Sequence, residues 1–346
     1  MATAKAGERA NNFNLLRLLL AASVVLAHSP ELVDGDRRRE VGAILFGEWT
    51  TLGILAVNGF FLLSGYLIAQ SWRRSPRLGA YLRKRALRIY PGYLVAALVS
   101  SLAVGPTGGN PNYWRTFRVV PFVFSLLTLR MPRTPDAFVT LPYNLVNGAL
   151  WTIRYEFTCY LGLAALGVLG LLRRRWAVLG ITLGLTAWAV GKVEGLVPPV
   201  PSRYLLGASD AEIFRLSACF LAGTCFELYA DLVEFTRRGL FLAAIFLPIA
   251  LQHPATGLVA LPSLGGYLLL AAGLAPALGG TSAIRREDVS YGLYLYAWPI
   301  QQMLIHRWPR IDPTLLSALT LPTALLAGWL SWRYVERPSL RWRRGE

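Results

Sequence analysis

The sequence predicts an all-α fold: a polytopic membrane bundle of about ten transmembrane helices with both termini cytoplasmic. Two observations carry that prediction. Long apolar runs recur from residue 13 to residue 334 in a chain that is 54% hydrophobic with a mean hydropathy of +0.44, which is the composition of a helical membrane protein and not of a soluble domain. The basic residues cluster between those runs, as positive-inside loops beside anionic headgroups require. No repeat, low-complexity tract or soluble appendage interrupts the pattern, so residues 1–346 are expected to form a single transmembrane domain.

The elements follow in order. Residues 1–12 are polar, with Lys5 and Arg9. The first span, 13–29, has no clear small-residue cleavage site and is expected to be retained as a helix. The loop 30–47 is nearly balanced in charge, and the second span, about 49–70, contains VNGFFLLSGYLI. After it come Arg73, Arg74, Arg77, Arg83, Lys84, Arg85 and Arg88 without a carboxylate, the strongest cytoplasmic marker in the chain. The third span is placed at about 89–104. Residues 117–129 are apolar but short, with Pro121 inside, and are expected to be re-entrant or interfacial. The remaining spans are placed at about 149–172, 176–191, 213–229, 239–252, 257–278, 289–305 and 315–334. With 117–129 not crossing, Arg173, Arg174 and Arg175 fall inside, and the inner segments hold about twice the Lys and Arg of the outer ones.

The net charge of +16 would suggest nucleic acid in a soluble chain. Here membrane lipid explains it, and no nucleic-acid partner is expected. Cys159, Cys219 and Cys225 lie in or beside apolar runs without metal-ligand spacing and read as small core residues. The sequence has no P-loop, no GxGxxG at a strand-to-helix turn, no HExxH and no GxSxG, and no metal is expected.

Several polar groups sit within the spans. Arg17 and His28 are eleven residues apart, so on a helix they share a face about 16 Å apart along the axis. Such groups either point into a bundle or wet cavity, or snorkel to the two surfaces. His28 is a candidate base, since an imidazole can take a proton from a hydroxyl near neutral pH. Glu156, within LWTIRYEFTCYL, must find a partner or be protonated. It is a candidate to orient the histidine, and an ion pair with Arg154 or Arg215 is compatible with that role. Arg85 and Arg88, with Arg83 and Lys84, share the inner mouth of the third span. The three-residue spacing of Arg85 and Arg88 suits two guanidiniums gripping phosphate oxygens, while a lipid-facing basic collar gives the same pattern. Gly59 and Gly65 permit close helix approach, and Asn58 and Ser64 add polar groups beside them. His253 and His306 read as surface residues at span ends.

Together these residues resemble the acyltransferase-3 family of integral-membrane O-acyltransferases. The resemblance rests on Arg17 and His28 at Arg-x10-His spacing, GFFLLSGYLI from Gly59 to Ile68, RKRALRIYP from Arg83 to Pro91, LWTIRYEFTCYL with Trp151 and Glu156, SYGLYLYAWPIQ from Ser290 to Gln301, and Glu336-Arg337-Pro338, in family order. It implies a ten-helix enzyme of the plasma or inner membrane. Its donor would be cytoplasmic acyl-CoA, commonly acetyl-CoA, and its acceptor a hydroxyl, usually of a carbohydrate or glycoconjugate, at the outer side. By that analogy His28 is catalytic with Arg17 as its companion, Glu156 supports the site, Arg83, Lys84, Arg85 and Arg88 hold the CoA phosphates, and Trp151, Ser64 and Asn58 contact substrate. One departure stands out: Ala297 occupies a place beside Trp298 where the family often has a histidine. An extended pantetheine arm of roughly 15 to 20 Å matches the rise of about 16 Å from Arg17 to His28, so a thioester could reach His28 without CoA crossing. Either direct attack with His28 as base or an acyl-histidine intermediate fits. A transporter or flippase using the same polar residues is the rival expectation.

Overall fold

The computed structural model describes residues 11–197, 210–276 and 287–341, and Lys5 and Arg9 lie outside them. Among the described residues every regular element is helical. The helices that position the site are α1 (Phe13–Asp34), α2 (Val41–Phe46), α3 (Leu52–Arg74), α4 (Leu78–Leu98), α5 (Val119–Leu127), α6 (Trp151–Val168), α7 (Arg175–Val193), α8 (Asp210–Leu228), α9 (Arg237–Ala250), α10 (Pro254–Leu274), α11 (Ser290–Arg307) and α12 (Pro313–Ser331).

Each of the ten expected spans overlaps one of these helices, but the third, expected from about 89, lies in a helix that begins at Leu78 and carries Arg83, Lys84, Arg85 and Arg88. By length and composition six described helices suffice to cross a membrane: Phe13–Asp34, Leu52–Arg74, Leu78–Thr107, Arg175–Val193, Pro254–Leu274 and Pro313–Arg341. The others are shorter or more polar: α9 has 14 residues, α6 carries Arg154 and Glu156, and α8 carries Glu212, Arg215 and Glu227. The segment containing Pro121 forms only the nine-residue α5, about 14 Å long, less than half the hydrocarbon thickness.

Two boundaries differ from the sequence reading. The first helix does not stop at Ser29. It runs through Pro30 to Asp34 and ends at Gly35, whose positive φ of 78° lets its N–H reach the Glu31 carbonyl. A proline inside a helix removes one backbone donor, but here one bond within α1 and one from α11 hold the adjacent turn. The Val25 carbonyl accepts from Ser29 Oγ at 3.1 Å and from Gln301 Nε2 at 3.0 Å, and Pro30, Glu31 and Leu32 are buried. The loop that follows is also structured. Glu40 accepts from the backbone N–H of Ala43 through Oε2 and of Leu52 through Oε1, both at 2.9 Å, clamping the starts of α2 and α3 together.

The core is built where helices touch backbone to backbone. A methyl group on Gly65 of α3 would lie 1.8 Å from the Phe220 carbonyl oxygen of α8, and one on Gly223 would lie 2.0 Å from that of Leu62. This is the small-residue packing expected of the GFFLLSGY stretch. Gly292 of α11 and Gly328 of α12 meet in the same way. Gly65→Ala is therefore expected to separate α3 from α8 and cost about 1–3 kcal/mol as overpacking does, read as a lowered unfolding temperature in detergent. An unchanged temperature would mean the two helices do not approach this closely.

Candidate functional site

Two cavities lie along the bundle, one between α1, α3, α4, α6 and α11 and the other between α1, α3, α7, α8 and α10 with Trp151 and Tyr294. The first, about 360 Å³, is basic: Arg17, Lys84, Arg85 and Arg88 line it with Ser64, Glu156 and Tyr160. The second, about 380 Å³, contains His28, Glu31, Arg37, Trp49, Trp151 and Arg215. Val57 of α3 and Tyr294 of α11 line both, so the cavities abut at these two side chains.

Helix geometry explains the split. Arg17 and His28 lie on one face of α1, but the eleven-residue rise puts them in different cavities. Arg17 Nη1 donates to Asp288 Oδ2 at 3.2 Å, and Arg88 Nη2 donates to the same oxygen at 2.5 Å. Arg88 Nη1 also approaches Glu336 Oε2 at 3.5 Å, which a wide π-type turn over Trp332–Glu336 carries inward. Burial pushes the Asp288 carboxyl up, but the Arg88 and Arg17 guanidiniums outweigh it and hold it below the ordinary aspartate value. Lys84 makes no ion pair among the described residues. Arg85 faces the rings of Tyr81 and Tyr160, each 5.9 Å from its guanidinium carbon. A lining of this kind, cationic and partly desolvated, suits phosphate oxygens.

In the second cavity His28 Nδ1 lies 3.4 Å from Glu31 Oε2. The other oxygen of Glu31 accepts from Arg37 Nε and from the Tyr143 hydroxyl, both at 3.0 Å. Burial and the Glu31 carboxylate push the Tyr143 hydroxyl up to about 12, which keeps it a donor at neutral pH. The imidazole stands edge-on to Trp298 with ring centroids 4.9 Å apart, and Trp298 Nε1 is tied to the Leu145 carbonyl at 3.2 Å. A carboxylate facing Nδ1 favours the proton there and leaves Nε2 as the lone-pair nitrogen. An imidazole held this way is suited to accept a proton at Nε2.

This assignment differs from the sequence reading at Glu156. That carboxylate does not orient His28: its Oε1 accepts from Ser64 Oγ at 3.0 Å and from the Tyr160 hydroxyl, in the basic cavity. It forms no ion pair with Arg154 or Arg215 either, since Arg215 Nη1 donates to Asn58 Oδ1 at 2.5 Å. Trp151 lines the histidine cavity and Ser64 the basic one, whereas Asn58 and Arg83 line neither of the two. Ala297 is buried beside Trp298. Glu31 escaped the sequence reading because the span was ended before Pro30. The signal was its i,i+3 spacing from His28, which puts both on one side of a continuing helix.

The acyltransferase domain of the acyltransferase-3 family matches residues 11–333, nearly the whole chain. The chain belongs to this family. Like other acyltransferase-3 proteins it is an enzyme that transfers acyl groups and a membrane O-acyltransferase. It is similar to nodulation protein 10 of Rhizobium leguminosarum bv. viciae, 28% identical over 96% of this chain and 94% of that protein. It is also similar to the O-acetyl transferase of Shigella phage Sf6, 25% identical over 95% of this chain and 96% of that protein, and to the acyltransferase MdmB of Streptomyces mycarofaciens, 24% identical over 88% and 84%. No solved structure matches the chain. Within this acyltransferase-3 chain, the two cavities bring together most of the motif residues: Arg17, Ser64, Lys84, Arg85, Arg88 and Glu156 on one side of Val57 and Tyr294, His28 and Trp151 on the other.

Proposed function

We propose that the protein moves an acyl group, acetyl by default, from acyl-CoA at the cytoplasmic face to a hydroxyl of a carbohydrate or glycosylated acceptor at the outer face of the plasma or inner membrane, with ten crossings and both termini inside. The observation that carries the proposal is the meeting of a basic cavity and an oriented histidine at one pair of side chains. The acetyl default draws support from the relative described as an O-acetyl transferase.

In this reading Lys84 and Arg85 hold the donor's phosphates, with Arg17 and Arg88 completing the positive wall. The thioester extends past Glu156 and Ser64 toward Val57. Acceptor binds against Trp151 and Trp49, which offer flat apolar faces to a sugar ring. His28 Nε2 takes the acceptor's hydroxyl proton as the oxygen attacks the thioester carbon. The carbon–oxygen bond forms, the carbon–sulfur bond breaks, and the proton passes from the imidazolium to the departing thiolate. Glu31 steadies the imidazolium and is itself held by Arg37 and Tyr143. Glu156 fixes the wall of the donor passage through Ser64 and Tyr160.

Labelled acetyl-CoA added to the purified protein in detergent tests the reading: slow release or transfer of the acetyl group is expected, whereas a carrier would return the donor intact. Two variants sharpen it. Lys84→Ala with Arg85→Ala is expected to raise the donor KM about tenfold, the loss of about 1.4 kcal/mol of charge-assisted contact, with the acceptor KM unchanged. A donor KM that stays put would leave these residues as a lipid-facing collar. Glu31→Gln removes the charge opposite the imidazolium while keeping the shape. It is expected to lower kcat about 100-fold with KM nearly constant, and an unaltered kcat would remove Glu31 from the site.

A further inference from the structure

Both cavities carry charged side chains, and the two residues common to their linings carry none. On one side of the junction stand Arg17, Lys84 and Arg85, on the other His28, Glu31 and Arg37. Between them the shared lining consists of Val57 and Tyr294. Tyr294 is held in place from two directions. Its hydroxyl shares a 2.8 Å hydrogen bond with Thr152 Oγ1 of α6, and its ring meets Phe60 edge-on with centroids 6.2 Å apart. Val57 sits one helical turn from Phe60 and from Gly53, where an added methyl group would lie 3.1 Å from Ala27 Cβ of α1, so α3 packs close against α1 there.

We propose that Val57 and Tyr294 form a dry waist that sets the length of acyl group the enzyme accepts, with Thr152 positioning Tyr294. This rests on the transfer reading above. A waist built from a β-branched aliphatic and a braced aromatic ring admits a small uncharged group and excludes the phosphates of the donor, which stay among the basic side chains. In this reading the thioester carbonyl stops at the junction and meets His28 from the other cavity, so the acyl tail lies against Val57 and Tyr294 and is sized there. Packed interiors resist added methylenes, and a pocket of this kind discriminates one methylene by about 10- to 200-fold. Acetyl is accordingly the favoured group over propionyl and butyryl, and Val57 is the element whose volume sets the margin.

The test uses the purified full-length enzyme with acetyl-, propionyl- and butyryl-CoA, free CoA thiol released being the readout, and a separate measurement of CoA binding. Wild type is expected to prefer acetyl-CoA over butyryl-CoA by at least about tenfold. Val57→Ala should raise the butyryl-to-acetyl ratio about tenfold, Val57→Leu should lower it, and Val57→Phe should stop release from all three donors while CoA affinity stays within about threefold. Retained CoA binding shows that a silent variant is folded. Tyr294→Phe keeps the ring but loses the Thr152 bond, and should shift the chain-length ratio without changing CoA affinity. A ratio that stays constant across Ala, Val and Leu at position 57 overturns the waist while leaving the transferase reading intact. Absence of both CoA binding and thiol release in the wild type overturns the transferase reading itself, and the waist with it.

Discussion

His28→Ala is expected to abolish acyl transfer, by about 10³-fold or more, while the protein still inserts and purifies as the wild type does. The general base contributes about 10²–10⁴-fold in proton-transfer reactions, and in the proposed reaction the same imidazole both accepts the hydroxyl proton and delivers it to the leaving thiolate. Its removal should leave the surroundings standing. Glu31 keeps Arg37 and Tyr143 as partners, and Trp298 keeps its bond to Leu145 and its contact with Tyr143 at a centroid separation of 6.0 Å. The loss should therefore appear in kcat, with donor binding unchanged. Near-normal turnover by the variant would take His28 out of the chemistry, and a variant that fails to purify would be resolved by His28→Gln, which keeps a polar side chain of similar reach.

Arg88→Ala is expected to destabilise the fold, by about 3–5 kcal/mol, because it strands two carboxylates. Asp288 would keep only Arg17, and Glu336, whose side chain is 2% exposed, would lose its ion-pair partner. The effect differs in kind from that of Lys84→Ala, which removes a cation with no ion pair among the described residues and should leave the unfolding temperature in place. The Asp288 carboxyl is held below its ordinary value of 3.8, so its contribution is present above that value and is lost as pH falls through its still lower value in the folded protein. The difference in stability between wild type and Asp288→Asn should accordingly be constant from neutral to mildly acidic pH. A stable Arg88→Ala enzyme with a raised donor KM would show instead that Arg88 serves the donor more than the fold.

Much of this organisation was legible in the sequence because hydropathy and charge are read locally. Each expected span overlaps a helix, and the short segment around Pro121 makes only nine residues of helix. The basic cavity was legible for the same reason: Lys84, Arg85 and Arg88 lie within five residues on one helix. Pairings between distant elements were not. Asp288, 200 residues from Arg88, sits just ahead of α11 and gives no local sign that it holds two arginines from other helices. Glu156 looked like the partner of His28 because both are intramembrane polar groups placed at similar depth, but depth says nothing about the angle around the bundle. Glu31 was hidden by Pro30, since a proline normally marks a helix end, and only Gln301 and Ser29, bonding across from α11 and within α1, show why the helix continues.

The central claim is that an acyl group crosses the bundle while its carrier does not. Protein reconstituted into sealed vesicles, supplied outside with CoA carrying a labelled acetyl group, tests it most directly through the fraction of molecules whose basic cavity faces outward. CoA thiol is expected outside and labelled acetate or acetylated acceptor in the lumen, with both signals lost in His28→Ala. Thiol and acetyl product accumulating together on the outer side, with none inside, would contradict it.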